Sequence, residues 1–592
     1  MSRPSRSFYC YLHTTDADVA RKAGTLGLHE LDVDEVPGAR TMFLSSIASA
    51  EPVYCSVIND LADWTLPSFR SPLAGRPLAN ADSGSLISCA RVEAGSFGCC
   101  TDYWGLRTHY WHQSAGTFAC SNNLFLLAHL IDASLDEAGV DEILFFLTTM
   151  GSRTAFAGID RLQAGQHLRF DVGTANLELS VPGSPGRDLL ETPAEQADYV
   201  TSFLDFFEQA AGVMGNRTAA VCASAGTDSN TVIACLRRAG CGIATFSFGQ
   251  PHYYESRWTR AHSARLGIPF TLVPLPSADE WQATVRDTTF WSNGLINPYR
   301  IHYQKLYDTI SEEYAVFEGT LGSQFVKGDL PIGSTISDCH AHALRNGGSP
   351  GPAIEHHLGA LPREIRERIA ATVARDHGAC FVDISSEEGG QALRSFALTT
   401  LPQNMFAGPL LLAADGHQLY LPYLDRHFLS SLLHSGAPGF ARQTALQGPI
   451  ELAVKMRTQA AIVARADPWI ERRVLGHGIS FREARTLPTS WCRGLRWARR
   501  QYRRRWRHRD AFFSQIDNST ATAAVTAALA ETPAPWGRWE VENASPRLRM
   551  SAANLLLMER IRADLNDGWR PWSESLAVSE SSAGRPLSGR AS

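Results

Sequence analysis

Ala219-Ala220-Val221-Cys222-Ala223-Ser224-Ala225-Gly226-Thr227-Asp228-Ser229-Asn230-Thr231-Val232-Ile233-Ala234-Cys235-Leu236 is the stretch that decides the fold of this chain. A short apolar run leads into small residues and one aspartate, and then into residues that suit a helix. That is how a buried parallel strand passes through a phosphate-binding turn into a helix. Gly226 lets the backbone approach a phosphate closely, Ser224 and Ser229 carry hydroxyl donors, and Thr227 sits at a helix N-terminus that favours negative charge. Asp228 suits a magnesium ion rather than the phosphate itself. Neither G-x-x-x-x-G-K-[ST] nor G-x-G-x-x-G is present in this stretch. The seven residues from Ser224 to Asn230 equally suit a helix N-cap rich in small side chains.

The flanking sequence places this loop. A helical stretch, Tyr199 to Val213, precedes the strand at 219–223. A helix over 228–239, a strand over 243–248, a helix from Ser256 to Leu266 and a strand over 270–273 follow. This alternation predicts a doubly wound parallel sheet, in which ligands lie beyond the carboxyl ends of the strands. The 224–229 loop and Phe248 both fall at such ends. The first 190 residues read differently, as short strands and turns such as Leu168-Arg169-Phe170-Asp171-Val172 and the segment around Gly95 to Cys100. From Leu275 onward the pattern is mostly helical, with breaks at Gly347-Gly348-Ser349-Pro350-Gly351-Pro352 and near Gly389-Gly390.

At 592 residues the chain exceeds one ordinary core. A hydrophobic share of 44%, a charged share of 19% and a net charge of −5 are globular values that favour no polyanionic partner. Nothing near Met1 resembles a secretion signal and no apolar run reaches membrane-spanning length, so a cytoplasmic protein is expected, with no membrane partner. Twelve cysteines without C-x-x-C spacing point to buried thiols rather than zinc or disulfides. Lys22, Lys305, Lys327 and Lys455 are the only lysines among 55 basic residues, so any lysine-dependent step has four candidates. Nine arginines between Arg493 and Arg509, interleaved with Trp497, Tyr502 and Trp506, read as a solvated helix face, and no nucleic-acid partner is expected.

Several separated motifs resemble the asparagine synthetase family. Ser224 to Ser229 resembles the S-G-G-x-D-S loop of the ATP pyrophosphatases. Asp102-Tyr103-Trp104-Gly105-Leu106-Arg107-Thr108-His109-Tyr110-Trp111 is similar to D-P-L-G-I-R-P-L-Y-Y, and Phe156-Ala157-Gly158-Ile159-Asp160-Arg161-Leu162-Gln163-Ala164-Gly165 is similar to F-x-G-I-x-R-L-P-P-G. Leu421-Pro422-Tyr423-Leu424-Asp425 looks like P-F-L-D. The resemblance implies an α+β glutaminase-like (Ntn-hydrolase-like) sandwich over 1–190 and an α/β ATP-pyrophosphatase domain over 191–515. A helical extension over 516–570 and a tail over 571–592 complete the expected organisation.

The departures are equally specific. Ser2 stands where a working glutaminase of the family exposes its cysteine, whose own α-amine serves as base, and Cys10 is internal. Cysteine-less members resemble β-lactam synthetases and lasso-peptide cyclases, which use an amine other than ammonia. Gly319-Thr320-Leu321-Gly322-Ser323-Gln324 corresponds to G-E-G-x-D-E, with Ser323 in place of the metal-binding aspartate. Arg472 to Gly478 lacks the lysine of R-x-K-x-G-F. Lys327 is therefore expected to reach the α-phosphate and Asp329 the metal, beside Asp228, with Lys455 as a second candidate lysine. The nucleotide contacts expected are Ser224, Gly226, Thr227, Asp228, Ser229, Phe248 and Gly319.

The function that the resemblance implies is ATP- and Mg2+-dependent amide formation by carboxylate adenylation, on a peptide or small-molecule carboxylate and amine. Lasso-peptide macrolactam formation leads, with a precursor-processing protease or leader-binding protein as possible partner. An asparagine synthase and a catalytically degenerate binding homologue are the alternatives.

Overall fold

In the computed structural model, residues 8–36, 39–46, 53–59, 61, 86–93, 95–181, 185, 188–189, 198–296, 300–327, 349–378, 381, 395, 398–414, 416–435, 454–476, 478–486 and 546–571 are described. The fold is mixed α/β, with two antiparallel sheets, one parallel sheet and many helices. Asp329, the arginine-rich stretch 493–509, the break near Gly389 and the tail beyond 571 lie outside the described residues.

The N-terminal strands are β1 (Tyr9–Thr14), β2 (His29–Val36), β3 (Ala39–Ser45), β4 (Val53–Ile58), β5 (Leu86–Glu93), β6 (Ser96–Cys100), β7 (Tyr110–Ser114), β8 (Thr117–Ser121), β9 (Asp160–Arg161), β10 (His167–Asp171) and β11 (Asn176–Ser180). They form one sheet in the order β2-β3-β1-β8-β7-β9 and another in the order β11-β10-β6-β5-β4. Because side chains alternate across a strand, Tyr9 and Tyr11 of β1 face an aromatic cluster with Phe43, Phe97, Phe118 and Phe170. Cys10 and Leu12 face the larger core shared with the rest of the chain. Tyr11 stacks on Phe97 at 4.3 Å between ring centroids, and Phe118 on Phe170 at 4.1 Å. The cluster between the two sheets is thus filled by rings. Cys10 is fully buried, and burial pushes its thiol far above its usual range, which leaves it without thiolate character.

The C-terminal strands are β12 (Ala219–Cys222), β13 (Ile243–Phe248), β14 (Phe270–Val273), β15 (Ala315–Phe317) and β16 (Gln418–Tyr420), all parallel, in the order β14-β13-β12-β15-β16. The chain lays down β13 and β14 on one side of β12 and then returns to its other side. The crevice between the ends of β12 and β15 is therefore the topological switch point, where open parallel sheets bind ligands. Ala219, Ala220 and Val221 are fully buried, as an apolar run in a central parallel strand should be. β15 and β16 have three residues each, too short for the sequence pattern to reveal. Pro350-Gly351-Pro352, expected as a break, instead opens the helix Pro350–Leu358, where proline's missing N–H has no intrahelical partner to lose.

The two halves interlock around the segment after β16. Asn59 donates to the Leu421 carbonyl at 3.3 Å and its Oδ1 accepts from the Leu421 N–H at 2.5 Å, while the Trp104 indole donates to the Leu424 carbonyl at 2.8 Å. Asp425, the last residue of that motif, is buried and accepts from the Phe428 N–H at 2.7 Å, capping the helix Arg426–His434. Among the described residues no helix is long and apolar enough to cross a membrane.

Inside the antiparallel pair, the His109 imidazole is fully buried. Nδ1 lies 2.7 Å from the Tyr9 hydroxyl and Nε2 3.0 Å from the Cys100 carbonyl. The carbonyl can only accept, so Nε2 carries the proton and Tyr9 donates to Nδ1. Burial lowers the His109 pKa to about 4. The unfolded value lies near 6.5, so the unfolded chain takes up this proton first as pH falls. The stability it contributes is complete above about pH 6.5 and is lost down to about pH 4, roughly 3 kcal/mol in all. Urea unfolding at pH 7 and pH 5 should show this loss in the wild type and a smaller one in His109→Gln, with His262, also lowered to about 4 by burial, supplying a remainder. Equal losses in both proteins would refute the assignment.

Candidate functional site

The loop after β12 keeps its shape through its own polar groups. The Ser224 N–H donates to Ser229 Oγ at 3.0 Å, the two serine hydroxyls lie 3.1 Å apart, and the Gly226 N–H donates to Ser224 Oγ at 3.1 Å. Asn230 closes the turn from below by donating to the carbonyls of Ser224 at 3.1 Å and Gly226 at 2.6 Å. Gly226 is the N-cap of the helix Thr227–Arg238 and contributes no side-chain cap, so the first amides of this buried helix lack the oxygen that Ser, Thr or Asp would supply there. A loop amide is already engaged by an anion of the chain itself: the Ala225 N–H donates to Glu255 Oε1 at 3.2 Å. Burial raises the Glu255 pKa, with the Ala225 hydrogen bond opposing.

The loop after β15 packs directly on the start of the helix. A Cβ at Gly319 would stand 3.1 Å from the Ser229 nitrogen, and one at Gly322 would stand 2.8 Å from the Tyr423 ring and 3.0 Å from the Asp228 carboxylate. A side chain at 322 would force its neighbours to shift, and one at 319 would make the Asp228–Ser229 backbone give by a few tenths of an ångström. Leu321, where the family motif has glycine, has φ +68°, a left-handed conformation costing an L-residue roughly 1–2 kcal/mol. Its side chain is 2% exposed, and that burial offsets the strain. The turn Gly322–Val326 follows and brings Ser323 and Lys327 onto one face.

These elements converge on Asp228. Ser323 Oγ donates to its Oδ2 at 2.7 Å, Gln459 Nε2 donates to Oδ1 at 2.5 Å, and the Lys327 ammonium lies 3.0 Å from Oδ1 and 3.3 Å from Oδ2. Lys327 also donates to Ser323 Oγ at 2.9 Å, and the Tyr423 hydroxyl donates to the Asp228 carbonyl at 3.1 Å. Lys327 is 5% exposed, whereas the Asp228 side chain keeps 21% of its surface open. Burial would raise the Asp228 pKa, but the Lys327 ammonium, helped by Ser323 and Gln459, brings it below the ordinary carboxylate value.

Of the residues expected from the sequence, Ser224, Gly226, Thr227, Asp228, Ser229, Gly319 and Lys327 are brought together. Phe248 ends β13 with its ring 4.2 Å from that of His302. Lys455 is half-buried just before the helix Arg457–Ala466. Gln459 and Glu255 were not foreseen. Gln459 comes from a helix 231 positions away, and its signal, a glutamine among apolar residues, is only that of a polar residue on a buried helix face. Gly476 lies in the segment read from the sequence as lacking the late lysine, and its contact with the loop was not foreseen. Its N–H donates to the Ala225 carbonyl at 2.9 Å, so this segment lies against the 224–229 loop.

A magnesium ion at Asp228 would need about six oxygen ligands at roughly 2.0–2.1 Å. The groups facing this carboxylate are the hydroxyls of Ser323 and Thr227, an amide NH2 and an ammonium, all donating to it. Among the described residues no group of three or more His, Cys, Asp or Glu side chains is arranged to hold a metal ion. The described donors do not fit the ion. No family model matches this chain, and no curated protein matches it.

Removing one partner of a buried ion pair leaves the other uncompensated. Lys327→Met should therefore cost about 3 kcal/mol of unfolding free energy, and Ser323→Ala about 1 kcal/mol. Urea unfolding measures both, and a Lys327→Met protein as stable as wild type would show that the pair contributes nothing.

Proposed function

We propose that this chain binds the phosphates of ATP at the 224–229 loop and uses the nucleotide to activate a carboxylate for attack by an amine. The observation that carries this reading is the switch-point crevice itself. There a loop of small residues feeds an uncapped helix N-terminus, and a buried ammonium stands beside it. Such a helix start favours phosphate oxygens through its dipole and its N–H groups. The reading extends the resemblance to the asparagine synthetase family, with 1–190 as a glutaminase-like sandwich and 191–515 as the ATP-pyrophosphatase part.

A carboxylate does not react with an amine until one of its oxygens becomes a leaving group, and adenylation with release of pyrophosphate supplies one. The loop's contribution is electrostatic. The amides at the helix start and Lys327 face the charge of the phosphates, while Gly319 and Gly322 keep the crevice narrow enough to hold the nucleotide against them. Ring packing inside the antiparallel pair and the inert Cys10 speak against glutamine as an ammonia source. That favours an amine carried by the substrate, as in macrolactam formation on a lasso-type peptide.

A second reading, a catalytically degenerate homologue that binds a nucleotide or a partner without chemistry, is favoured by one observation: the chain's own Glu255 already accepts from the Ala225 N–H. A bound phosphate oxygen would have to displace it. Glu255→Ala should therefore bind a fluorescent ATP analogue more tightly than wild type, and weaker binding would show that Glu255 supports the site.

Pyrophosphate release separates the readings. Release that requires a peptide with a free N-terminal amine and an Asp or Glu several residues on is the expected result. Release stimulated by aspartate and ammonia would identify an asparagine synthase. Nucleotide binding with no release under either condition would establish the non-catalytic reading.

A further inference from the structure

The Asp228 carboxylate has about four lone-pair positions, and the chain fills them. Oδ2 accepts from Ser323, Oδ1 accepts from Gln459, and Lys327 Nζ straddles both at 3.3 and 3.0 Å. Thr227 Oγ1 adds a longer contact to Oδ1 at 3.3 Å. The ammonium thus stands in the bidentate position of the carboxylate. A divalent ion there, at the usual 2.0–2.6 Å from the same oxygens, would come within roughly 1 Å of Nζ, so the two cannot coexist.

The placement of Lys327 is built into the chain rather than left to a mobile side chain. It follows the turn Gly322–Val326, four residues after Ser323, and Ser323 orients it by accepting one of its three donors at 2.9 Å. Ser323 occupies the position where the family motif has its second acidic residue, so the same substitution removes a metal ligand and supplies a hydroxyl that donates to Asp228 while accepting from Lys327. The Lys327 side chain is 5% exposed, and nothing short of rotating it out of its packing would vacate the position. Gln459, fully buried, fixes the other side of the carboxylate, and its amide nitrogen also lies 3.2 Å from the Tyr423 hydroxyl.

We infer that Lys327 is the resident cation of this site: its ammonium takes the place of a divalent ion on Asp228, so the protein itself holds no metal there. This deepens the nucleotide reading and rests on it for its consequence. Any magnesium enters only on the phosphates of the nucleotide, and Asp228 positions Lys327 instead of a metal.

Manganese tests the inference without a nucleotide. Free Mn2+ measured by electron paramagnetic resonance should be undiminished by the full-length wild-type chain. Lys327→Met, which leaves the carboxylate without its ammonium, should take up one ion, and that ion should be lost again when Asp228→Asn is added. An ion bound by the wild type and lost in Asp228→Asn overturns the inference, and this comparison does not need the lysine variant to fold. A folded Lys327→Met that gains no ion also overturns it, because the ammonium would then not be what excludes the metal. ATP binding measured by calorimetry in EDTA and in Mg2+ reads the consequence. Equal affinity is expected, and binding seen only with Mg2+ and abolished in Asp228→Asn counts against the inference. Failure to bind ATP under both conditions removes the nucleotide reading, while the manganese result still decides the ion's place.

Discussion

The contact between Asp228 and Lys327 draws three distant parts of the chain to one point. The carboxylate comes from the helix after β12, the ammonium from the turn after β15, and the Gln459 amide that completes the cluster from the helix Arg457–Ala466. A half-buried carboxylate is tolerated only when its charge is paired and its oxygens are satisfied. This one is satisfied by segments up to 231 residues apart, so the crevice can form only when the parallel sheet has closed. The glycines at 319 and 322 follow from the same constraint, because a side chain at either would push the two loops apart.

The N-terminal half supports this arrangement from a distance. Asn59 and Trp104 grip the backbone at Leu421 and Leu424, and between those anchors Tyr423 reaches the Asp228 carbonyl. With the cluster between its sheets packed by aromatic rings and Cys10 fully buried, this half serves as a brace. It sets the position of Tyr423, and through it the first turn of the helix.

Much of this was legible in the sequence where a local pattern dictates structure. The apolar run at 219–222, the helices around it and the strands at 243–248 and 270–273 fall where periodicity placed them, because consecutive residues carry that signal. β15 and β16 were not legible, since three buried residues carry no period. Pro350 and Pro352 read as punctuation, yet they sit in the first turn of a helix, the one place where proline is compatible with it. The resemblance brought Asp228, Gly319 and the altered residue Ser323 into view, but it presented Ser323 as a loss. Its role as the acceptor for Lys327 depends on a turn geometry and a long-range contact that no local window contains. Glu255 and Gln459 escaped for the same reason: each acts on the site through a tertiary contact, and neither stands in a motif.

We propose that the crevice between β12 and β15 binds phosphates and that its cation is Lys327. The most direct measurement is a crystal structure of the full chain grown with ATP and Mn2+, with anomalous scattering used to locate the metal. The account predicts a triphosphate against the amides at the start of the helix Thr227–Arg238, Lys327 still on Asp228, and manganese on phosphate oxygens alone. A manganese ion on the Asp228 carboxylate, with Lys327 displaced from it, would contradict the account.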